Sequence, residues 1–156
     1  MGALSPSLRD WIVPGLAGTL AIVDANGAPQ IARTWGARVL DESDVIEVLV
    51  QRGSAAGVLG ALDRPRRAAL TLIEVASYRS RSFKGACERS PRGFDADALE
   101  TSVAALGRAF HAVGLAADGA ERMLGHAREP REMVALRLSV ESVFDQSPKP
   151  GAGARL

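Results

Sequence analysis

Scarcities narrow this chain first: one cysteine, two lysines, and no long hydrophobic run. Cys87 alone excludes an internal disulfide and fits a reducing compartment. Of the 19 basic residues only Lys84 and Lys149 are lysine, so the cationic inventory is almost all guanidinium, which suits bidentate anion recognition. No apolar stretch approaches the roughly 18 residues that a membrane span needs. No basic region followed by an apolar run opens the chain, so no signal peptide is expected. The expectation is a soluble, cytoplasmic protein with no membrane partner. A net charge of +1 without a basic stripe gives no electrostatic case for nucleic acid. Several motifs are missing too: the Gly-x-Ser-x-Gly elbow, a phosphate loop, a Gly-x-Gly-x-x-Gly fingerprint after a strand, and any His/Cys/acid spacing that builds a metal site.

What is present is organised around a hairpin. Leu16–Val23 reads as a strand, Asp24-Ala25-Asn26-Gly27 as a tight turn and Ala28–Trp35 as the returning strand. Asn26-Gly27 predicts a primed turn, because both residues tolerate positive φ. Alternation puts Ile31, Arg33 and Trp35 on one face of the second arm and Gln30, Ala32 and Thr34 on the other. Arg33 beside Trp35 suits a flat anionic ligand or, equally simply, a surface arginine stacked on an exposed tryptophan. Spacing alone favours the second.

At 156 residues the chain is long enough for one domain with a core that needs no staples. Ser5-Pro6-Ser7 before Leu8, Trp11 and Ile12 predicts a short capped helix, stopped by Pro14-Gly15 and lying as a lid on the sheet. Gly36 marks a bulge or bend, and Asp41–Asp44 a polar turn. Val45–Val50 is a buried β-branched strand. Ser54 is the expected N-cap of a helix over Ala55–Leu62. Arg67–Val75 and Arg79–Arg89 follow as strands, with Phe83 and Cys87 on one face and Lys84 and Ala86 on the other. Asp95 or Asp97 caps the clearest helix, whose stripe is Leu99, Val103, Leu106, Phe110 and Val113, with Gly114 as its stop. A shorter helix is expected over Asp118–His126 and a last strand over Met133–Val140. The tail from Phe144 to Gly153 is too rich in Pro and Gly for regular structure. Six sequential strands with one helical insertion (about 95–127) predict an α+β, mainly β, six-stranded antiparallel barrel with flanking helices, in a single domain over 1–156.

The site candidate with most chemistry is Arg52-Gly53-Ser54. A helix start offers free N–H groups and a positive dipole end to an anion; the plainer reading is an ordinary N-cap worth about 1 kcal/mol. His111 reads as a partly buried helix residue, and Cys87 as a small core residue rather than a nucleophile. Arg79, Arg81 and Lys84 read as a solvated face, or as the wall of an anion pocket.

The strand order, the Asp24–Pro29 turn, Ser54 with its helix, the Tyr78–Gly85 segment and the tail Val143-Phe144-Asp145-Gln146-Ser147-Pro148 with Pro150–Gly153 resemble the pyridoxamine 5′-phosphate oxidase-like family of flavin-binding split barrels. The resemblance covers Leu16 to about Glu88 and the tail. It implies a homodimer with FMN at the subunit interface and a small-molecule substrate. It places Arg33, Thr34 and Trp35 near the flavin and Arg52, Gly53 and Ser54 near its phosphate. The flavin would carry the chemistry while the protein positions it, and no catalytic acid or base is assigned. Relatives of this fold bind FMN, the deazaflavin F420 or haem, and some bind no cofactor. Two departures stand out. Ala56 replaces the lysine that family members often carry two residues after the capping serine. The Arg-rich C-terminal segment of true pyridoxamine 5′-phosphate oxidases is missing, so that reaction is not expected.

Overall fold

Local capping chemistry starts the fold. In the computed structural model, which describes residues 2–40, 44–125 and 129–156, the first helix, α1 (Pro6–Trp11), is capped by Ser5, whose side chain accepts from the Leu8 amide at 3.4 Å. Asp44 holds the segment before α1, accepting from the Ala3 and Leu4 amides at 2.7 and 3.0 Å and from Arg9 at 2.8 Å. The rest of the expected polar turn, residues 41–43, lies outside the described residues.

Six strands follow: β1 (Ala17–Val23), β2 (Pro29–Val39), β3 (Val45–Gln51), β4 (Arg66–Ile73), β5 (Ser80–Arg89) and β6 (Met133–Asp145). All neighbouring pairs are antiparallel, and the order β1-β2-β3-β6-β5-β4 closes into a barrel. The predicted barrel is therefore the observed one. Its interior is largely apolar: Leu20, Ile46, Val48, Leu70, Leu72, Phe83 and Leu138 are fully buried. Leu8 and Ile12 from α1 join this cluster, and Trp11 stacks on Phe83 at 6.4 Å, so α1 is the expected lid. The second helix, α2 (Ala56–Ala61), contributes Val58 and Leu59 to the same cluster.

A second apolar cluster lies on the outside of β2, β3 and β6. There α3 (Ala96–Ala112) and α4 (Ala117–Leu124) cover Trp35, Leu49, Met133 and Ala135 with Leu99, Leu106, Phe110, Ala120 and Leu124. Asp95 caps α3 through the Asp97 and Ala98 amides at 3.0 and 3.2 Å.

Several boundaries differ from the sequence reading, for physical reasons. The hairpin turn is not a primed one: Gly27 takes φ +84° but Asn26 does not have positive φ. Asp24 instead holds a wider loop, accepting from the Asn26 and Ala28 amides at 2.8 and 2.9 Å. Helix α4 starts one residue early, and His126 lies outside the described residues. Val113 is half exposed at the end of α3 rather than part of its buried stripe, and His111 is exposed. Strand β6 runs on through Phe144 and Asp145, because β5 keeps pairing with it past a bulge at Lys84–Gly85. The rest of the tail turns back: Phe144 bridges Arg155, and the Leu156 amide donates to the Val143 carbonyl at 2.9 Å. Asp145 fastens this return. It accepts from the Ser147 amide at 2.9 Å and pairs with Lys149 at 3.0 Å and Arg81 at 3.3 Å.

The bulge generates one prediction. A Cβ on Gly85 would collide with the Ser139 carbonyl oxygen, a backbone atom with nowhere to go. Gly85→Ala therefore destabilises the fold by more than the same change at the open Gly60, an expected loss of about 2 kcal/mol or more in chemical unfolding. A second concerns acid. Hydrogen bonds from Ser147, then Lys149, hold the Asp145 carboxyl well below its ordinary range. Such a group stabilises the fold fully above its unfolded pKa, and the contribution is lost as pH falls towards the folded value. The thermal midpoint should fall below about pH 4, and Asp145→Asn should flatten that fall.

Candidate functional site

The candidate residues lie along β2 and the turn after β3. On β2, Ala32 and Thr34 point into the barrel, whereas Arg33 and Trp35 point outward. Thr34 is 1% exposed and lies against Gly18 and Leu72, its Oγ1 without a hydrogen-bond partner. Its side chain therefore faces away from the outer surface on which Arg33 lies. Trp35 faces outward but is covered by α3, at 4% exposure. The surface-tryptophan alternative is thus corrected, because the helical insertion seals that ring into the second core.

Arg33 is what remains accessible. Its guanidinium lies 4.7 Å from the centroid of the Trp35 ring. Partial burial holds its pKa below the ordinary arginine value, and it has no carboxylate partner among the described residues. A guanidinium that is partly desolvated, stacked on an aromatic and lacking an acid favours an incoming anion.

Thr34 sits opposite Val50 across the β2–β3 ladder, so Arg33 lies level with the end of β3. The turn there carries Arg52, Gly53 and Ser54, all exposed. Ser54 is not the N-cap: α2 starts at Ala56 with Ala55 before it, and no side chain caps it. The Ser54 hydroxyl donates to the Gln51 carbonyl at 3.3 Å, and its amide donates to Gln51 Oε1 at 2.6 Å. Gln51 therefore takes the capping hydrogen bonds that the sequence assigned to an anion or a helix. The Arg52 backbone is anchored by its amide to the Glu132 carbonyl at 2.7 Å, while its side chain has no partner among the described residues.

Other candidates resolve as structural. Cys87 is fully buried, and burial pushes its thiol up to about 12, which makes it inert as a nucleophile. Arg81 points towards α1, 5.3 Å from the Trp11 ring. Arg79 pairs with Glu74 at 2.8 Å and Lys84 lies over Phe144 at 4.5 Å. Among the described residues no group of His, Cys, Asp or Glu could hold a metal.

Sequence reasoning missed one cluster. Glu47 is 5% exposed within the apolar run of β3. Its Oε1 accepts from Arg38 Nε and Nη2 at 2.9 and 2.7 Å, and Arg38 Nη1 donates to Asp95 at 2.8 Å. Two clefts, of about 170 and 510 Å³, flank this trio. The available signal was the single carboxylate inside Val45–Val50, which must find a cation when buried.

No protein-family model matches the chain, and no curated protein matches it in sequence. Solved structures do. HupZ of Group A Streptococcus superposes with a TM-score of 0.53 at 15% identity, over 96% of this chain and 98% of that one. A Lactobacillus delbrueckii protein provisionally described as a pyridoxamine 5′-phosphate oxidase gives 0.53 at 21% identity, over 92% and 95%. HutZ of Vibrio cholerae, described as a haem storage protein, gives 0.50 at 19% identity, over 93% and 95%. The chain has their split-barrel fold. At such identities this split-barrel likeness establishes architecture rather than ligand. No helix among the described residues is long and apolar enough to cross a membrane.

Proposed function

We propose that this chain is a flavin-binding member of the pyridoxamine 5′-phosphate oxidase-like proteins, a dimer that holds FMN in the groove beside Arg33 and Arg52. The observation that carries the reading is the pair of guanidinium groups, on β2 and after β3, with no carboxylate partner among the described residues. A phosphate dianion answers both, and bidentate guanidinium–phosphate pairing is stronger than a neutral hydrogen bond.

The fit is good at the phosphate end and narrower at the ring. Arg33, Arg52 and the Gly53 turn are available to the phosphate, whereas Ser54 is engaged with Gln51. The side chains of Thr34 and Trp35 are buried, so this stretch would meet the ring through its backbone. Bound flavin supplies hydride or single-electron transfer. The chain's own contribution is to hold the phosphate, orient the ring along β2 and exclude water with a second subunit. A small-molecule substrate is proposed with it.

The outer face of β1, β2 and β4 supports a dimer. Helices α3 and α4 leave most of it open, and it is built of small residues (Thr19, Ala21, Ala69, Thr71) around Ile31 at 63% and Val23 at 54% exposure. Register places Ala21 opposite both Ile31 and Ala69, a continuous apolar row beside Arg33. An exposed apolar row of this kind supports an interface with a second subunit.

The test is the absorbance spectrum of the purified protein and its titration with FMN, with F420 and haem as parallel ligands. Saturable FMN binding is expected, weakened about tenfold or more by Arg33→Ala or Arg52→Ala. A protein that takes haem or F420 but not FMN, or whose FMN affinity ignores both arginines, overturns the assignment. Ile31→Arg should convert the dimer to a monomer in light scattering; an unchanged mass would remove this face from the interface.

A further inference from the structure

The larger of the two clefts beside Glu47 lies about 16 Å along β3 from Arg52, five residues at strand rise. It is lined by β2, the start of β3, the 92–95 segment and β6. We propose that this cleft is a second binding site, for a small organic molecule carrying a phosphate or carboxylate group, held by Arg137 and Arg92.

Which of the cleft's charges are already satisfied decides what it can bind. Among the described residues, three arginines and two acids line the cleft: Arg38, Arg92, Arg137, Glu47 and Asp95. Arg38 is spent, with Nε and Nη2 on Glu47 and Nη1 on Asp95. Both acids are spent with it. The second oxygen of Glu47 accepts from the Ser90 hydroxyl at 3.3 Å, and the second oxygen of Asp95 caps α3. Two guanidinium groups are left over. Arg137 Nε is buried from solvent and has no hydrogen-bond partner among the described residues. Glu47 and Glu88 flank Arg137 in the β3 and β5 ladders, yet neither forms an ion pair with it. Arg92, on the exposed segment above, has no partner among the described residues either.

A desolvated N–H with no acceptor carries a cost that a bound acceptor would relieve. An oxyanion in the cleft would pair with the terminal nitrogens of Arg137, and a turn of the side chain would bring Nε, closed to solvent as it stands, into bidentate geometry. Phe94 and Val39 add an apolar wall, which suits an organic group attached to the anion. The cleft's volume of about 510 Å³ falls within the roughly 300–1,000 Å³ of small-molecule sites.

The experiment is calorimetric titration of the full chain with two probes, inorganic phosphate and succinate, against wild type, Arg137→Met, Arg92→Ala and Arg52→Ala. Saturable binding of at least one probe is expected. Arg137→Met should weaken it about tenfold or more and Arg92→Ala severalfold, with Arg52→Ala unchanged. The preferred probe identifies the headgroup. Arg92→Ala, on an exposed segment, keeps the test intact if Arg137→Met misfolds. Three results overturn the proposal: no saturable binding of either probe, binding that survives the Arg137 and Arg92 changes, or binding lost only in Arg52→Ala. The last would put the anion at the FMN phosphate position instead. FMN titration of Arg137→Met reads the cofactor reading separately, because that site does not include Arg137.

Discussion

The close approach of α3 to β2 at Gly36 is the constraint on which the rest of the molecule depends. A Cβ at Gly36 would stand 2.8 Å from Ser102 Oγ and 3.0 Å from its Cβ. Only glycine lets the helix come this near, and Ser102 is buried by the contact. The β2–β3 ladder shifts register at the same point, between Thr34 and Ala37, as bulges do where a strand bends. The result divides the outer face of one strand into two environments. Trp35 goes under the helix and becomes core, while Arg33 and Ile31, two and four residues earlier, stay outside. The ion pair of Arg38 with Asp95 ties the N-terminal cap of α3 to β2, so the helix is fixed at its start as well as along its length.

Once that division is made, charge sorts the molecule further. Arginines with a carboxylate hold parts together: Arg9 ties the N-terminal segment to Asp44, Arg38 joins β2, β3 and α3, and Arg67 reaches Glu141 across the barrel surface. The exposed pairs among these are worth little in stability. The Glu47–Arg38 pair is different, since removing one partner leaves the other charge buried and unpaired. Among the arginines without a carboxylate partner in the described residues, Arg33 and Arg52 lie towards the end of β3 and Arg92 and Arg137 line the cleft nearer its start. A chain with so few lysines places planar bidentate donors at both, one beside the exposed apolar row of Val23 and Ile31, the other in an open, largely polar cleft.

The barrel was legible in the sequence because its signals are local. Alternation in Leu16–Trp35, the β-branched run Val45–Val50 and the period of Leu99, Leu106 and Phe110 each report which face is apolar, and burial followed those faces. Turn chemistry was legible less exactly. Asn26-Gly27 located the hairpin, but the Asp24 side chain, by taking two amides, selected a wider loop. Ser54 had the right identity for a cap and the wrong neighbour: Gln51, three residues earlier, had an amide side chain long enough to take its backbone N–H first.

By itself the sequence determined the strands, their antiparallel barrel, the lid helix and the long amphipathic helix, because periodicity and capping act over a few residues; the pairing of β3 with β6 and of β1 with β4 is tertiary. Tertiary structure alone decided what each outward-facing side chain of β2 meets. Arg33 and Trp35 are equivalent by spacing, and only a helix some seventy residues later in the chain makes one of them core and the other a site candidate. The same holds for Glu47, Arg38 and Asp95, and for the orphaned Nε of Arg137. Whether a charge is satisfied depends on partners from distant segments, and no local pattern records that.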